Sequence, residues 1–362
     1  MASSDSNQSA PRPGSPGQPP RRRRQRYSGT HPKQFEQRYK ERDPQAYPQM
    51  QEHIRAQGRT PAGTHVPIMV TQVLEVLQPA PGEVVADCTI GYGGHAMAFL
   101  ERIGPTGRLI GFDVDAANLE RAAQRLAETG VPLSLHRSNF AGLGKVLGAE
   151  GLEGYDVVFA DLGVSSMQVD EPARGFSYKH DGPLDMRMDD RLQRTAGDLL
   201  RTMPEEELSA GLLELADEPD HELIARAIVQ QRCGEPLTRT GQLVDLIFHA
   251  KGLSRRDWRE QPGQGKLHPA ALTFQALRIL VNDELASLRE LLRVAPYCLR
   301  PGGRIGILSF HSGEDRLVKQ AFRDGLAIGL YTEVCAEVVR PTAQEIRDNP
   351  RSSPAKLRWA RR

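Results

Sequence analysis

The run Asp87-Cys88-Thr89-Ile90-Gly91-Tyr92-Gly93-Gly94-His95 lies between two apolar segments, Val84-Val85-Ala86 before it and Ala96-Met97-Ala98-Phe99-Leu100 after it. Its glycines therefore fall where a strand turns into a helix, and a turn without Cβ atoms lets a ligand touch bare backbone. Two ligand classes fit the spelling. Gly91-x-Gly93-x-x-Ala96 satisfies a dinucleotide fingerprint, and Asp113 follows at roughly the 20-residue spacing of a ribose-binding carboxylate. Asp87 separates them. A negative charge at the strand end gives nothing to a pyrophosphate, but it suits a ligand whose near end is an ammonium, as in the methionine part of S-adenosylmethionine.

Outward from this turn the pattern is regular. Val70, Val73, Leu74 and Leu77 recur at helical spacing before it. Strands are predicted at Leu109 to Phe112, Leu133 to His136 and Val157 to Ala160, with a helix at Ala116 to Leu126. Short apolar strands alternating with helices predict a parallel sheet covered on both faces, with ligands at the carboxyl ends. Asp87, Asp113, Asn139-Phe140 and Asp161 stand at four such ends.

From Gln168 to about Thr273 no strand is predicted, and Glu206 to Ala216, His221 to Gln231 and Gln242 to Ala250 read as helices, a helical insertion. A long helix is predicted from Phe274 to Ala295, with Leu277, Val281, Leu285, Leu288 and Leu292 along one side. Pro301-Gly302-Gly303 then turns into a strand, Arg304 to Phe310, with His311 at its carboxyl end. Thr332 to Val339 and Lys356 to Ala360 complete the pattern as an antiparallel pair at the sheet edge.

The segment 1-60 is rich in Pro, Gly, Ser, Gln and Arg and reads as a disordered tail whose Arg21-Arg22-Arg23-Arg24 run attracts RNA phosphates or simply stays solvated. The remainder divides into 61-167, a first part of the core; 168-272, the insertion; and 273-362, a second part of the core. Across all 362 residues Lys plus Arg number 47 and Asp plus Glu 46, so net charge names no partner. The four cysteines form no Cys-x-x-Cys pair, which predicts neither a structural metal nor a disulfide framework and fits a reducing, cytoplasmic compartment. No apolar run spans a membrane, and no secretory h-region is visible.

Longer strings sharpen the reading. With Asp161-Leu162-Gly163-Val164-Ser165-Ser166, Arg174-Gly175-Phe176-Ser177, Asp181 to Asp189, Thr273 to Ile279 and Ser309-Phe310-His311-Ser312, the sequence resembles the MraW family, also called RsmH, from His65 to about Arg358. These are S-adenosylmethionine-dependent ribosomal RNA (cytosine-N4)-methyltransferases. The resemblance implies a Rossmann-like class I α/β fold, a mostly parallel seven-stranded sheet with a helical insertion. It implies transfer of a methyl group to a cytidine amine in the decoding region of the small ribosomal subunit.

It further implies that Gly93, Gly94, His95, Asp113, Phe140, Asp161 and Gln168 contact the cofactor; Asp87 and Gly91 join them from the turn itself. Asp161 and the Leu162-Gly163 backbone are expected to orient the amine, and His311 is expected either to take its proton or to be a structural histidine. The Asp181 to Asp189 segment reads as a lid closing over the cofactor rather than an RNA-reading surface, since acids would repel phosphate, or else as a packed domain junction, with Arg174, Lys179 and Arg187 turned towards RNA phosphates. The chain departs from the family at Tyr92 and Leu272, where Arg is usual, at Gly313, where Leu is usual, and at Ser352-Ser353-Pro354. These leave the RNA surface, and so the target nucleotide, open; the sequence as a whole does not choose between monomer and homodimer, free RNA and assembled subunit, or cytoplasm and an organelle of bacterial descent. A non-catalytic ribosome-assembly protein and a nicotinamide-dependent oxidoreductase are the competing readings.

Overall fold

The structure, a computed structural model, describes residues 67-260 and 267-362; the basic segment 1-60 lies outside them. An amphipathic helix, α1 (Val70–Leu77), precedes β1 (Val84–Asp87), every residue of which is buried. The elements α2 (Gly94–Ile103), β2 (Arg108–Asp113), α3 (Ala116–Leu126), β3 (Leu133–Arg137), α4 (Leu143–Ala149) and β4 (Tyr155–Asp161) follow in alternation. Seven strands form one sheet in the order β3-β2-β1-β4-β5-β7-β6, where β5 is Leu299–Ser309, β6 Glu333–Val334 and β7 Lys356–Arg361. The first five are parallel and β7 runs against them. Apolar clusters cover both faces of the sheet, which is why the strands read as continuous apolar runs rather than alternating ones. The order reverses between β1 and β4, and a ligand crevice belongs at their carboxyl ends.

After β4 comes a short helix, α5 (Ser166–Asp170), and then the insertion: α6 (Ala196–Thr202), α7 (Glu205–Ala216), α8 (His221–Arg232), α9 (Thr240–Ala250) and α10 (Arg255–Glu260). Its own apolar cluster runs from Phe176 to Val281. The chain returns through α11 (Ala271–Asn282) and α12 (Glu284–Cys298). Phe274, Ala276, Leu277 and Val281 of α11 pack with the insertion rather than the sheet.

Three sequence expectations need correction. The helix expected from Phe274 to Ala295 is two helices, broken at Asp283 in the left-handed conformation (φ 50°). The turn at Pro301-Gly302-Gly303 is a bulge inside β5, since Leu299 pairs with Tyr155 and the next pairing is Arg304 with Val157. The strand expected over Thr332 to Val339 shrinks to Glu333–Val334 plus one bridge from Val339 to Leu357. Among the described residues no helix is long and apolar enough to cross a membrane.

Candidate active site

At the carboxyl ends of β1, β2 and β4 lies a cavity of about 600 Å³. Of the residues singled out from the sequence, Gly91, Gly94, His95, Asp113, Phe140, Asp161, Gln168 and His311 line it. The glycine turn builds its floor. Gly91 and Gly93 adopt φ of 50° and 75°, and a Cβ on Gly93 would press to 3.2 Å from the Leu126 side chain. Gly93 thus supports the turn from behind and is absent from the wall.

Asp87 is also outside the wall, beneath Cys88 and Thr89. It is 1% exposed; Oδ1 accepts the Thr89 N–H at 3.1 Å, and Oδ2 has no hydrogen-bond partner. Burial pushes its carboxyl up to about 7, with the neighbouring Asp113 adding to the rise. Such an orphaned acceptor favours a cation nearby.

Asp113 ends β2 and turns back over the glycine turn. Its Oδ2 accepts from Gly91 N–H and Asn118 Nδ2, both at 3.0 Å, and Oδ1 accepts from Asp115 N–H at 2.8 Å. Burial still carries it to about 6. The helix cap is Asp115, whose Oδ1 accepts from Ala117 N–H at 3.0 Å. Its Oδ2 receives Gln168 Nε2 at 3.0 Å and Arg174 Nη1 at 2.7 Å. Burial works against the charge on Asp115, but Arg174 and Gln168 outweigh it and hold the carboxyl below its usual range.

Asp161 ends β4, and its backbone N–H donates to Thr89 Oγ1 at 2.7 Å, so that two neighbouring strand ends are locked together. Burial raises the carboxyl to about 8, helped by Asp87 and Glu314. Phe140 follows Asn139, which caps its turn by accepting Ala141 N–H at 2.8 Å and donates to Ser287 Oγ at 3.0 Å. His311 caps α13 (Ser312–Ala327), and its Nε2 lies 3.1 Å from Glu314 Oε1. That carboxylate also accepts the Phe310 N–H at 2.9 Å. Burial opposes its charge, yet His311 and Arg278 keep it ionised below the ordinary range.

Arg278, Glu284 and Glu314 complete the wall and were not singled out from the sequence. Arg278 lies inside the Thr273 to Ile279 string and Glu314 follows His311 by three positions, so the motifs marked the segments without revealing which side chains face inward.

Of the cations expected to face phosphate, the two arginines are engaged by carboxylates. Arg174 is spent on Asp115 and on the carbonyls of Arg187 and Met188. Arg187 forks onto Asp185 at 2.8 and 2.7 Å and donates to the Leu192 carbonyl. Lys179 alone is exposed, outside the cavity wall and 6.0 Å from the Tyr178 ring, and stays available to a phosphate. The Asp181 to Asp189 segment brings Met188 and Asp189 to the cavity, and it is laced to its neighbours: Leu184 N–H donates to the Thr238 carbonyl and Met186 N–H to the Arg174 carbonyl. That lacing fits a packed junction.

The MraW methylase family model matches residues 62-362. A relative from Lachnoclostridium phytofermentans, named Ribosomal RNA small subunit methyltransferase H 1, is 43% identical over 347 residues, covering 95% of this chain and 93% of that protein. Another from Geobacter sulfurreducens, named Ribosomal RNA small subunit methyltransferase H, is 45% identical over 312 residues, covering 82% and 98%. The former match, at 95% of this chain, extends into the segment before residue 62. Among solved structures, an rRNA methylase from Streptococcus thermophilus aligns with 81% of this chain and 93% of its own at 14% identity and a TM-score of 0.34, too slight a likeness to bear on function.

Proposed function

The chain belongs to the MraW methylase family, and we propose that it moves a methyl group from S-adenosylmethionine to the exocyclic N4 amine of a cytidine in the decoding region of small-subunit ribosomal RNA. The relatives' names supply the RNA class. The observation that carries the reading is the convergence of Asp113, Phe140 and Asp161 on one cavity above a glycine turn.

The residues fit the donor. Asp113 offers carboxylate oxygens to ribose hydroxyls, Phe140 offers a ring face to adenine, and buried Asp87 places negative potential under the turn where an ammonium end belongs. When bound, the donor supplies a methyl carbon on a positively charged sulfur.

The chain's task is then alignment and charge. Asp161 and the Leu162 carbonyl accept the amine's hydrogens and turn its lone pair along the line of displacement. The nitrogen–carbon bond forms as the sulfur–carbon bond breaks, and the amine must shed one proton. Without ligand Asp161, raised to about 8, holds its proton at neutral pH; a positively charged donor beside it favours the ionised form, and that form is the one that receives the amine's proton and later releases it to water. Its microenvironment therefore supports both orienting and proton-accepting roles.

The test is mass spectrometry of nucleosides from small-subunit RNA of cells with the gene, without it, and with Asp161→Asn in its place. Loss of N4-methylated cytidine in the last two is expected. Unchanged N4-methylcytidine without the gene rejects the substrate.

A further inference from the structure

Arg278 meets Glu284 only because the helix breaks between them. An uninterrupted helix would set these positions about 240° apart around its axis, on different faces. The left-handed Asp283 ends α11 and restarts the chain as α12, which folds Glu284 back: Arg278 Nε lies 2.8 Å from Oε1 and Nη2 3.0 Å from Oε2. Such a fork fixes the plane of the guanidinium.

Nη1 takes no part in the fork and hydrogen-bonds to no protein group among the described residues. It faces the loop that follows Asp161. A Cβ placed on Gly163, whose φ of 98° favours glycine, would stand 3.9 Å from it, and Arg278, Gly163 and Asp161 all line the cavity. The cavity thus sets a fixed donor opposite an acceptor. Cytosine carries the matching edge: an amine donor at N4, then acceptors at N3 and O2. Uracil reverses the first two, and adenine lacks the third.

We propose that Arg278, positioned by Glu284, is a specificity-determining residue that reads the N3 and O2 edge of the base whose amine Asp161 receives. The assignment rests on the cytidine reading given above and adds to it the group that selects the base.

The test compares wild type, Arg278→Met, Arg278→Lys, Glu284→Gln and the double variant Arg278→Met/Glu284→Leu, which leaves no unpaired buried carboxylate. Calorimetry measures S-adenosylmethionine affinity, and kcat/KM is measured on RNA with either cytidine or 3-deazacytidine, which lacks the N3 acceptor, at the target. Cofactor affinity should hold. On cytidine RNA kcat/KM should fall roughly 10- to 150-fold in both Met variants, the loss expected for one hydrogen bond to a charged group. Lysine, which cannot make the fork, should not restore it, and Glu284→Gln should show a partial loss. Wild type should lose a similar factor on 3-deazacytidine, while the Met variants lose little more. An equal penalty for 3-deazacytidine in wild type and the double variant would overturn the assignment. Lost cofactor affinity in the double variant would overturn it too, placing the guanidinium on the cofactor. Wild-type protein that binds S-adenosylmethionine yet methylates no cytidine overturns the cytidine reading, and this assignment with it.

Discussion

His95 Nδ1 stands 3.7 Å from Asp161 Oδ2, while its Nε2 is 2.9 Å from the Ile68 carbonyl oxygen. A carbonyl only accepts, so in the neutral ring Nε2 carries the proton and Nδ1 turns an acceptor towards the carboxyl group. The ring therefore brings no formal charge to Asp161 in that state. Burial first, then the neighbouring Asp87 and Glu314, raise that carboxyl to about 8.

Stability should therefore fall with rising pH. The unfolded chain releases this proton near pH 4, whereas the fold retains it to about pH 8. Between those values the folded state binds more protons, so the slope of unfolding free energy with pH is negative. The difference should reach the order of 3 kcal/mol between pH 5 and pH 8, Asp87 contributing in the same direction. Urea melts of ligand-free wild type and Asp161→Asn at both values check it. Parallel slopes in the two proteins would show that Asp161 is an ordinary carboxylate.

Replacement of Asp113 should separate binding from folding. Alanine strands the Gly91 and Asp115 N–H groups that the carboxylate now receives, at a cost of about 1 to 3 kcal/mol. Asparagine keeps one acceptor oxygen and should melt closer to wild type. Both variants should lose S-adenosylmethionine affinity by about 100-fold or more in calorimetry, because a charged double acceptor is gone. Wild-type affinity in Asp113→Asn would remove the ribose assignment.

Arg174 gives a test of charge against architecture. A phosphate-binding arginine, once removed, lowers the salt slope of RNA binding by about one. Its bonds to Asp115, Arg187 and Met188 predict another outcome for Arg174→Ala: an unchanged salt slope, a lower melting temperature, and weaker cofactor binding as Asp115 and Gln168 lose their brace. Filter binding over a salt series, with thermal melts, distinguishes the two.

Where the sequence was legible, one physical cause governed the pattern. Strands buried on both faces must be apolar throughout, so β1, β2 and β4 stood out, and polar residues at their ends, Asp113 and Asp161 among them, had to face the crevice. The break at Asp283 had no such signature. The apolar stripe through Leu277, Val281, Leu285 and Leu288 runs on across it, and no glycine or proline marks it. A left-handed aspartate costs about 1 to 2 kcal/mol, which the Arg278 fork helps to offset, and that bond exists only in the folded chain. Arg174 and Arg187 were opaque for a related reason: sequence counts charges but does not say which carboxylate each one meets.

The Asp181 to Asp189 segment supplies the sharpest steric prediction. A Cβ on Gly182 would stand 1.9 Å from the Pro172 carbonyl oxygen, with the carbonyl carbon at 2.9 Å. Neither backbone can yield freely. Gly182 N–H donates to Thr240 Oγ1 at 3.0 Å and its carbonyl accepts Thr240 N–H at 2.9 Å, while Gly175 N–H holds the Pro172 carbonyl from the other side. Gly182→Ala should therefore cost about 3 kcal/mol in ligand-free melts, the upper end of ordinary overpacking. Because Met188 and Asp189 form part of the cavity wall, cofactor affinity should drop with it. A segment that swings open in the absence of cofactor would take the extra methyl without strain, so an unchanged ligand-free melt combined with weaker cofactor binding would restore the lid and overturn the fixed junction.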